Sequence, residues 1–222
     1  MPASDMPEAS EPPETPRPES RHTRRKARTR VRITEAANRL FTEKGYLETS
    51  VEDISEEADV AVRTIYTHFP SKAAILLDHF DRWLIALVDG ILDRPVDEPL
   101  VDAVAASLAA MEADGWVDRS YGDIEGSPPS ALGLITGPPE VAGYMMQAWI
   151  QAQDRIVADA HARGGYPEGS LIPVARGAAL FAACMGPIFA AQLSLSGPSL
   201  PPNATANSLI VDFLGRLTRG NL

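Results

Sequence analysis

Residues 50–72, SVEDISEEADVAVRTIYTHFPSK, decide the architecture. Two short runs with helical apolar spacing, Val51/Ile54/Ala58 and Ile65/Phe69, flank a tight Asp59-Val60-Ala61 turn. Either Thr49 or Ser50 can cap the first run, because Thr49–Glu52 and Ser50–Asp53 both have capping-box spacing. The second run, Val62 to Phe69, turns Ile65 and Phe69 inward, one helical turn apart. That leaves Val62, Arg63, Thr64, Tyr66, Thr67 and His68 to share the outer surface. Such a pair is a helix-turn-helix, a unit that presents its second helix to a DNA major groove.

The outward side chains suit that task. Arg63 can donate in a bidentate manner to guanine, and the methyl groups of Val62 and Thr64 match the thymine methyl. Tyr66 and His68 carry donors for phosphate oxygens. Lys72 adds a flexible positive charge aimed at the same DNA backbone.

On the N-terminal side, Ile33, Ala36, Ala37, Leu40 and Phe41 predict a helix from about Thr29 to Lys44, with Gly45 as its C′ residue. On the other side, Ser71 is a natural N-cap for one long helix carrying Ile75, Leu76, Phe80, Trp83, Leu84, Leu87 and Val88.

The net charge of −10 is unusual for a nucleic-acid binder, but it is unevenly placed. Residues 21–80 hold eleven bases and nine acids, whereas 81–222 hold eight bases and sixteen acids. Arg21, Arg24, Arg25, Lys26, Arg28, Arg30 and Arg32 put seven positive charges into twelve positions with no acid. Residues 1–20, rich in Pro, Glu and Ser, predict a disordered acidic tail. A basic arm with the helix-turn-helix then spans 21–80, and a larger helical domain spans 81–222.

Beyond Ile91 the pattern is helical throughout, with candidates at 99–113, 128–136, 139–163, 171–195 and 204–219. Residues 114–127, rich in Gly and Asp, read as loop, and Pro173 and Pro187 are expected to shorten or kink the 171–195 helix. Trp83, Met111, Trp116, Tyr144, Met145, Trp149, Phe181 and Met185 are candidate walls of a ligand cavity. Gln147 and Gln151, four apart, can orient a polar ligand group or face solvent.

The single cysteine, Cys184, excludes an internal disulfide framework and fits a reducing cytoplasm. The four histidines lack metal-ligand spacing, no nucleophile–base pair or phosphate loop marks an enzyme, and no run is long enough to span a membrane. No cofactor is expected.

Residues 29–80 resemble the DNA-binding domain of the tetracycline-repressor (TetR) family of bacterial transcription regulators. The ordered series Ala36-Ala37, Leu40-Phe41, Gly45-Tyr46, Thr49-Ser50-Val51, Asp53-Ile54, Ala58, Val60, Arg63-Thr64, Tyr66, His68-Phe69 and Ser71-Lys72 carries the resemblance. It implies an all-α protein with an N-terminal three-helix DNA-binding domain and a larger helical ligand-binding and dimerisation domain. It also implies phosphate contacts from Thr49, Tyr66, His68 and Lys72, with Val62, Arg63, Thr64 and Thr67 nearest the base edges.

A homodimer formed through the last two helices, a palindromic double-stranded operator and release by a small-molecule effector complete what the resemblance implies. Two positions depart from the pattern. Asp59 stands where the turn usually has Gly, and Ala61 stands where a Ser commonly caps the recognition helix. Asp59 is expected to accept the orphaned amide bonds in its place. The alternative reading is a helical ligand-binding or scaffolding protein with a degenerate DNA-binding head.

Overall fold

A computed structural model describes residues 21–116, 138–167, 169–194 and 206–219, with the side chains of 187–194 and 206 left aside. Every regular element among the described residues is an α-helix. They are α1 (Arg21–Lys44), α2 (Val51–Glu57), α3 (Val62–His68), α4 (Lys72–Leu76), α5 (Asp78–Leu92), α6 (Leu100–Ala113), α7 (Pro139–Arg163), α8 (Ile172–Ser194) and α9 (Ala206–Arg219). The tail 1–20 and the 128–136 helix candidate lie outside the described residues.

Three boundaries differ from expectation. The first helix starts at Arg21 rather than near Thr29. Residues 21–28 contain no Gly or Pro, and Arg, Lys and Ala are good helix formers. Thr29 sits comfortably inside the helix because its hydroxyl donates to the Arg25 carbonyl at 3.1 Å.

The expected single fourth helix is two, α4 and α5, bent at Leu77 (φ −94°, ψ 12°). Hydrogen bonds still cross the bend, from Leu77 N to Ala73 O and from Asp81 N to Leu77 O, each 2.9 Å. The bend lets Ile75, Leu76 and Leu77 stay in one core while Leu84, Leu87 and Val88 turn into another. Finally, Pro173 does not shorten α8. It is the helix's second residue, where no amide donor is needed, and the helix runs on past Pro187 to Ser194.

The side chains separate into two apolar cores. Ile33, Ala37, Phe41, Ile54, Ile65, Phe69 and Ile75 pack together, and Val141 and Met145 of α7 complete that N-terminal core. Leu87, Val104, Trp149, Leu180, Ile210 and Leu214 anchor the second, formed by α5–α9. Close approach in the second core depends on small residues. A Cβ on Gly186 would come within 2.5 Å of the Phe213 ring.

Candidate nucleic-acid interface

The angle between α2 and α3 is set by a few contacts. Ser50 is the α2 N-cap: its hydroxyl accepts from Asp53 N while the Asp53 carboxylate accepts from Ser50 N. Those bonds from Ser50, the backbone amide foremost, hold the Asp53 carboxyl below its usual range. At the other end of α2, Asp59 adopts φ +48°, the left-handed conformation that Gly fills most easily and Asp tolerates. Arg32 of α1 reaches across to the carbonyls of Ala58 and Asp59 and to the Asp59 carboxylate at 3.4 Å.

Asp59 therefore does not cap α3, contrary to expectation. Its side chain is fully exposed toward Arg32, and Ala61, at φ −68° and ψ 144°, offers no side-chain cap. Beneath α3, Ile65 and Phe69 are each 1% exposed and lock the helix onto the N-terminal core. Outward, Arg63, Tyr66 and Thr67 are exposed, and Val62, Thr64 and His68 are half-buried. The Thr67 hydroxyl donates to the Arg63 carbonyl at 2.9 Å, so its methyl group is the part left free to face a base.

Two expected phosphate contacts stand differently. Thr49 is buried, and its hydroxyl donates to the carbonyls of Gly45 (2.8 Å) and Leu40 (3.3 Å), so its side chain cannot reach a phosphate. Lys72 is not flexible. Its ammonium donates to the carbonyls of Tyr46 and Thr49, both at 2.8 Å, and lies 4.2 Å over the Tyr46 ring. That clamp fixes the α1–α2 turn and leaves one of three N–H donors for a ligand. His68 has a buried Nδ1 without a hydrogen-bond partner among the described residues. Burial first, then the charges of Lys26 and Arg30, holds its pKa below the ordinary imidazole value.

The helical extension of α1 brings further charge to the same face. A groove of about 730 Å³ between α1 and the α2–α3 turn is lined by Arg21, Arg24, Arg25, Arg28, Thr29, Arg32, Asp59, Val60 and Thr64. A helix turns the arginine run into a basic wall beside the N-terminal end of α3. Sequence spacing gives the run but not this placement.

A second feature has no local signal in the sequence. Arg30, from α1, ion-pairs with Asp78 at the start of α5 and donates to the His68 carbonyl at 2.9 Å. Its guanidinium also lies 4.2 Å over the Phe69 ring. Asp78, 3% exposed, has Arg82 as well at 3.4 Å. Beside it, Asp81 accepts from the Tyr144 hydroxyl of α7 at 2.6 Å. The recognition helix, the α4–α5 bend and α7 thus share one polar junction.

The candidate cavity residues divide. Met111 and Trp149 are buried in the second core, with Trp83, Trp116 and Phe181 packed against it. Trp149 is central: its ring lies 6.0 Å from Phe80 and 5.8 Å from Phe181, and its buried indole N–H has no partner among the described residues. Tyr144 lies outside that cluster, at the junction. Met145 belongs to the N-terminal core, because α7 turns that position toward α4. Met185 is half-buried on α8.

Comparison with known proteins agrees with this geometry. The sequence model of "Bacterial regulatory proteins, tetR family" matches residues 33–78. The chain is 29% identical over 139 residues to the HTH-type transcriptional regulator EthR of Mycolicibacterium smegmatis, covering 61% of this chain and 62% of that one. It is 31% identical over 97 residues to the HTH-type transcriptional regulator TcmR of Streptomyces glaucescens, covering 44% and 43%. The aligned part therefore spans less than two thirds of these relatives' length.

Among solved structures, Thermus thermophilus FadR, a TetR-family transcriptional repressor in complex with lauroyl-CoA, superposes with a TM-score of 0.50 at 21% identity. That match covers 87% of this chain and 95% of that one. Residues 33–78 thus match the N-terminal helix-turn-helix of the tetR family of bacterial regulatory proteins, and the all-helical fold of the described residues is similar to that of a solved TetR-family structure.

Proposed function

We propose that this protein is a ligand-responsive transcription regulator that reads a palindromic DNA operator as a homodimer and represses until an effector binds. The observation that carries the reading is the outer face of α3. Arg63, Tyr66 and Thr67 stand exposed on a buried Ile65/Phe69 edge, beside the basic wall of α1. Arg63 makes no ion pair among the described residues, so its five donors are available to a guanine edge. Val62, Thr64 and Thr67 supply methyl groups beside it, and Tyr66, His68 and the remaining Lys72 donor supply phosphate contacts.

Dimerisation is assigned to α8 and α9, which pack on each other with Gly186 against Phe213. Repression and effector control rest on the likeness to TetR-family regulators, and we place the effector near Trp149. The unpartnered indole N–H is a donor that a ligand acceptor would satisfy. No helix among the described residues is long and apolar enough to cross a membrane, and action on DNA accords with a cytoplasmic location.

Fluorescence anisotropy against the DNA flanking its own gene tests the reading. Wild type is expected to bind specifically and with strong salt dependence, and Arg63→Ala to lose roughly 1–3 kcal/mol at one base position per half-site. Binding that ignores sequence would favour a helical scaffold with a degenerate head.

A further inference from the structure

Outside the aromatic cluster, a groove of about 530 Å³ runs between α5 and α7 and reaches Arg30 and Pro70 of the N-terminal unit. Its walls include Leu84, Ile85, Val88 and Ala148, and Gln147 and Gln151 both line it from α7. That size, with apolar walls and a few convergent polar groups, suits a small organic ligand.

The charges in the groove differ in how well they are partnered. Each of its three arginines already faces a carboxylate: Arg30 and Arg82 face Asp78, and Arg155 faces Asp89. Asp81 is half-buried and receives a neutral hydrogen bond from Tyr144, but has no ion-pair partner among the described residues. Burial pushes its carboxyl above the usual range, against the Tyr144 bond; Asp78 adds to the rise and the charge of Arg30 opposes it. An anionic ligand would have to compete with existing ion pairs. A cation would displace only the phenol, and would supply the direct ion-pair partner that this partly desolvated carboxylate lacks among the described residues.

We propose that this groove binds an amphipathic organic cation, its ammonium paired with Asp81 and its hydrocarbon part lying along Ile85 and Ala148. Gln147 and Gln151 then serve as orienting amides. The regulatory consequence rests on the regulator reading above. Asp78, one turn before Asp81, holds the Arg30 that clasps the His68 carbonyl, so occupancy acts where α5 meets the recognition helix.

Isothermal titration of the full-length protein with n-octylammonium, octanol and octanoate reads the charge preference without DNA. Octylammonium is expected to bind at least tenfold tighter than its neutral and anionic counterparts. Asp81→Asn, which keeps an acceptor for Tyr144, is expected to abolish that preference. The chain's net charge of −10 attracts cations in general, so the comparison with Asp81→Asn carries the result.

Ile85→Gln, at a position 52% exposed and therefore harmless to the fold, is expected to weaken octylammonium several-fold. Should Asp81→Asn fail to fold, that variant and the wild-type charge series decide. Absence of octylammonium binding, equal binding of octanoate, or unchanged binding to folded Asp81→Asn would overturn the site. Operator binding measured separately keeps the two readings apart. Loss of DNA binding with amine binding intact sinks the regulator reading alone, and the reverse sinks the site alone.

Discussion

Lys72 illustrates how one side chain can hold the scaffold and still face the ligand. Two charge-assisted hydrogen bonds and the Tyr46 ring restrain its ammonium. Lys72→Met is expected to cost roughly 2 kcal/mol of stability as well as DNA affinity, read from urea midpoints alongside anisotropy. An unchanged midpoint would mean that the clamp contributes nothing to folding. His68 adds a pH dependence. Its folded pKa lies below 6.5, so between the two pKa values the unfolded chain binds more protons and stability declines as pH falls through that window. His68→Gln should flatten that decline; a slope identical to wild type between about pH 7 and pH 5.5 would dismiss the assignment.

At the scale of elements, α3 is held by its buried edge rather than by its ends. With Ala61 uncapped in a backbone conformation that suits an N-cap, Ala61→Ser should add about 1 kcal/mol to stability in chemical denaturation. No gain would show that the first-turn amides are already satisfied by solvent. The extended α1 turns a charge run into a surface. Replacing Arg24, Arg25 and Arg28 together by Ala, a good helix former, should leave helicity unchanged and reduce the salt slope of DNA binding by roughly 0.9 for each phosphate that is no longer neutralised. An unaltered slope would make the basic wall a solvated face.

Across the whole molecule, the Arg30–Asp78 pair links the recognition helix to α5, and Tyr144–Asp81 links α5 to α7. Asp78 is buried whereas the Arg30 side chain is 37% exposed, so removing Arg30 leaves one charge desolvated but costs less than breaking a fully buried pair. Arg30→Met should therefore destabilise by roughly 2–3 kcal/mol, less than the full penalty because Arg82 remains near Asp78 at 3.4 Å. A loss below about 0.5 kcal/mol would mark the pair as a surface contact of little consequence. The same variant should weaken operator binding, because the His68 carbonyl is left without its clasp.

The boundary between what was legible in the sequence and what was not follows the reach of each interaction. The helices at 99–113, 139–163, 171–195 and 204–219, a cap at Thr49 or Ser50, Gly45 and the inward Ile65/Phe69 edge were readable, because periodicity and capping act within a turn or two of the chain; the structure chose Ser50. The extra turns of α1 were missed through weight placed on apolar spacing, which an all-polar helical extension lacks. The burial of Thr49, the clamp on Lys72, the Arg32–Asp59 contact and the place of Met145 in the N-terminal core were not readable. The last three depend on partners many residues away, and the burial of Thr49 on how the turn between α1 and α2 packs; only tertiary structure decides them. Arg30 and Asp78, forty-eight residues apart, make the division plain. By itself the sequence determined a helix-turn-helix ahead of a helical domain. Tertiary structure alone decided how the two are joined, because a buried charge selects its counter-charge by proximity in space, not along the chain.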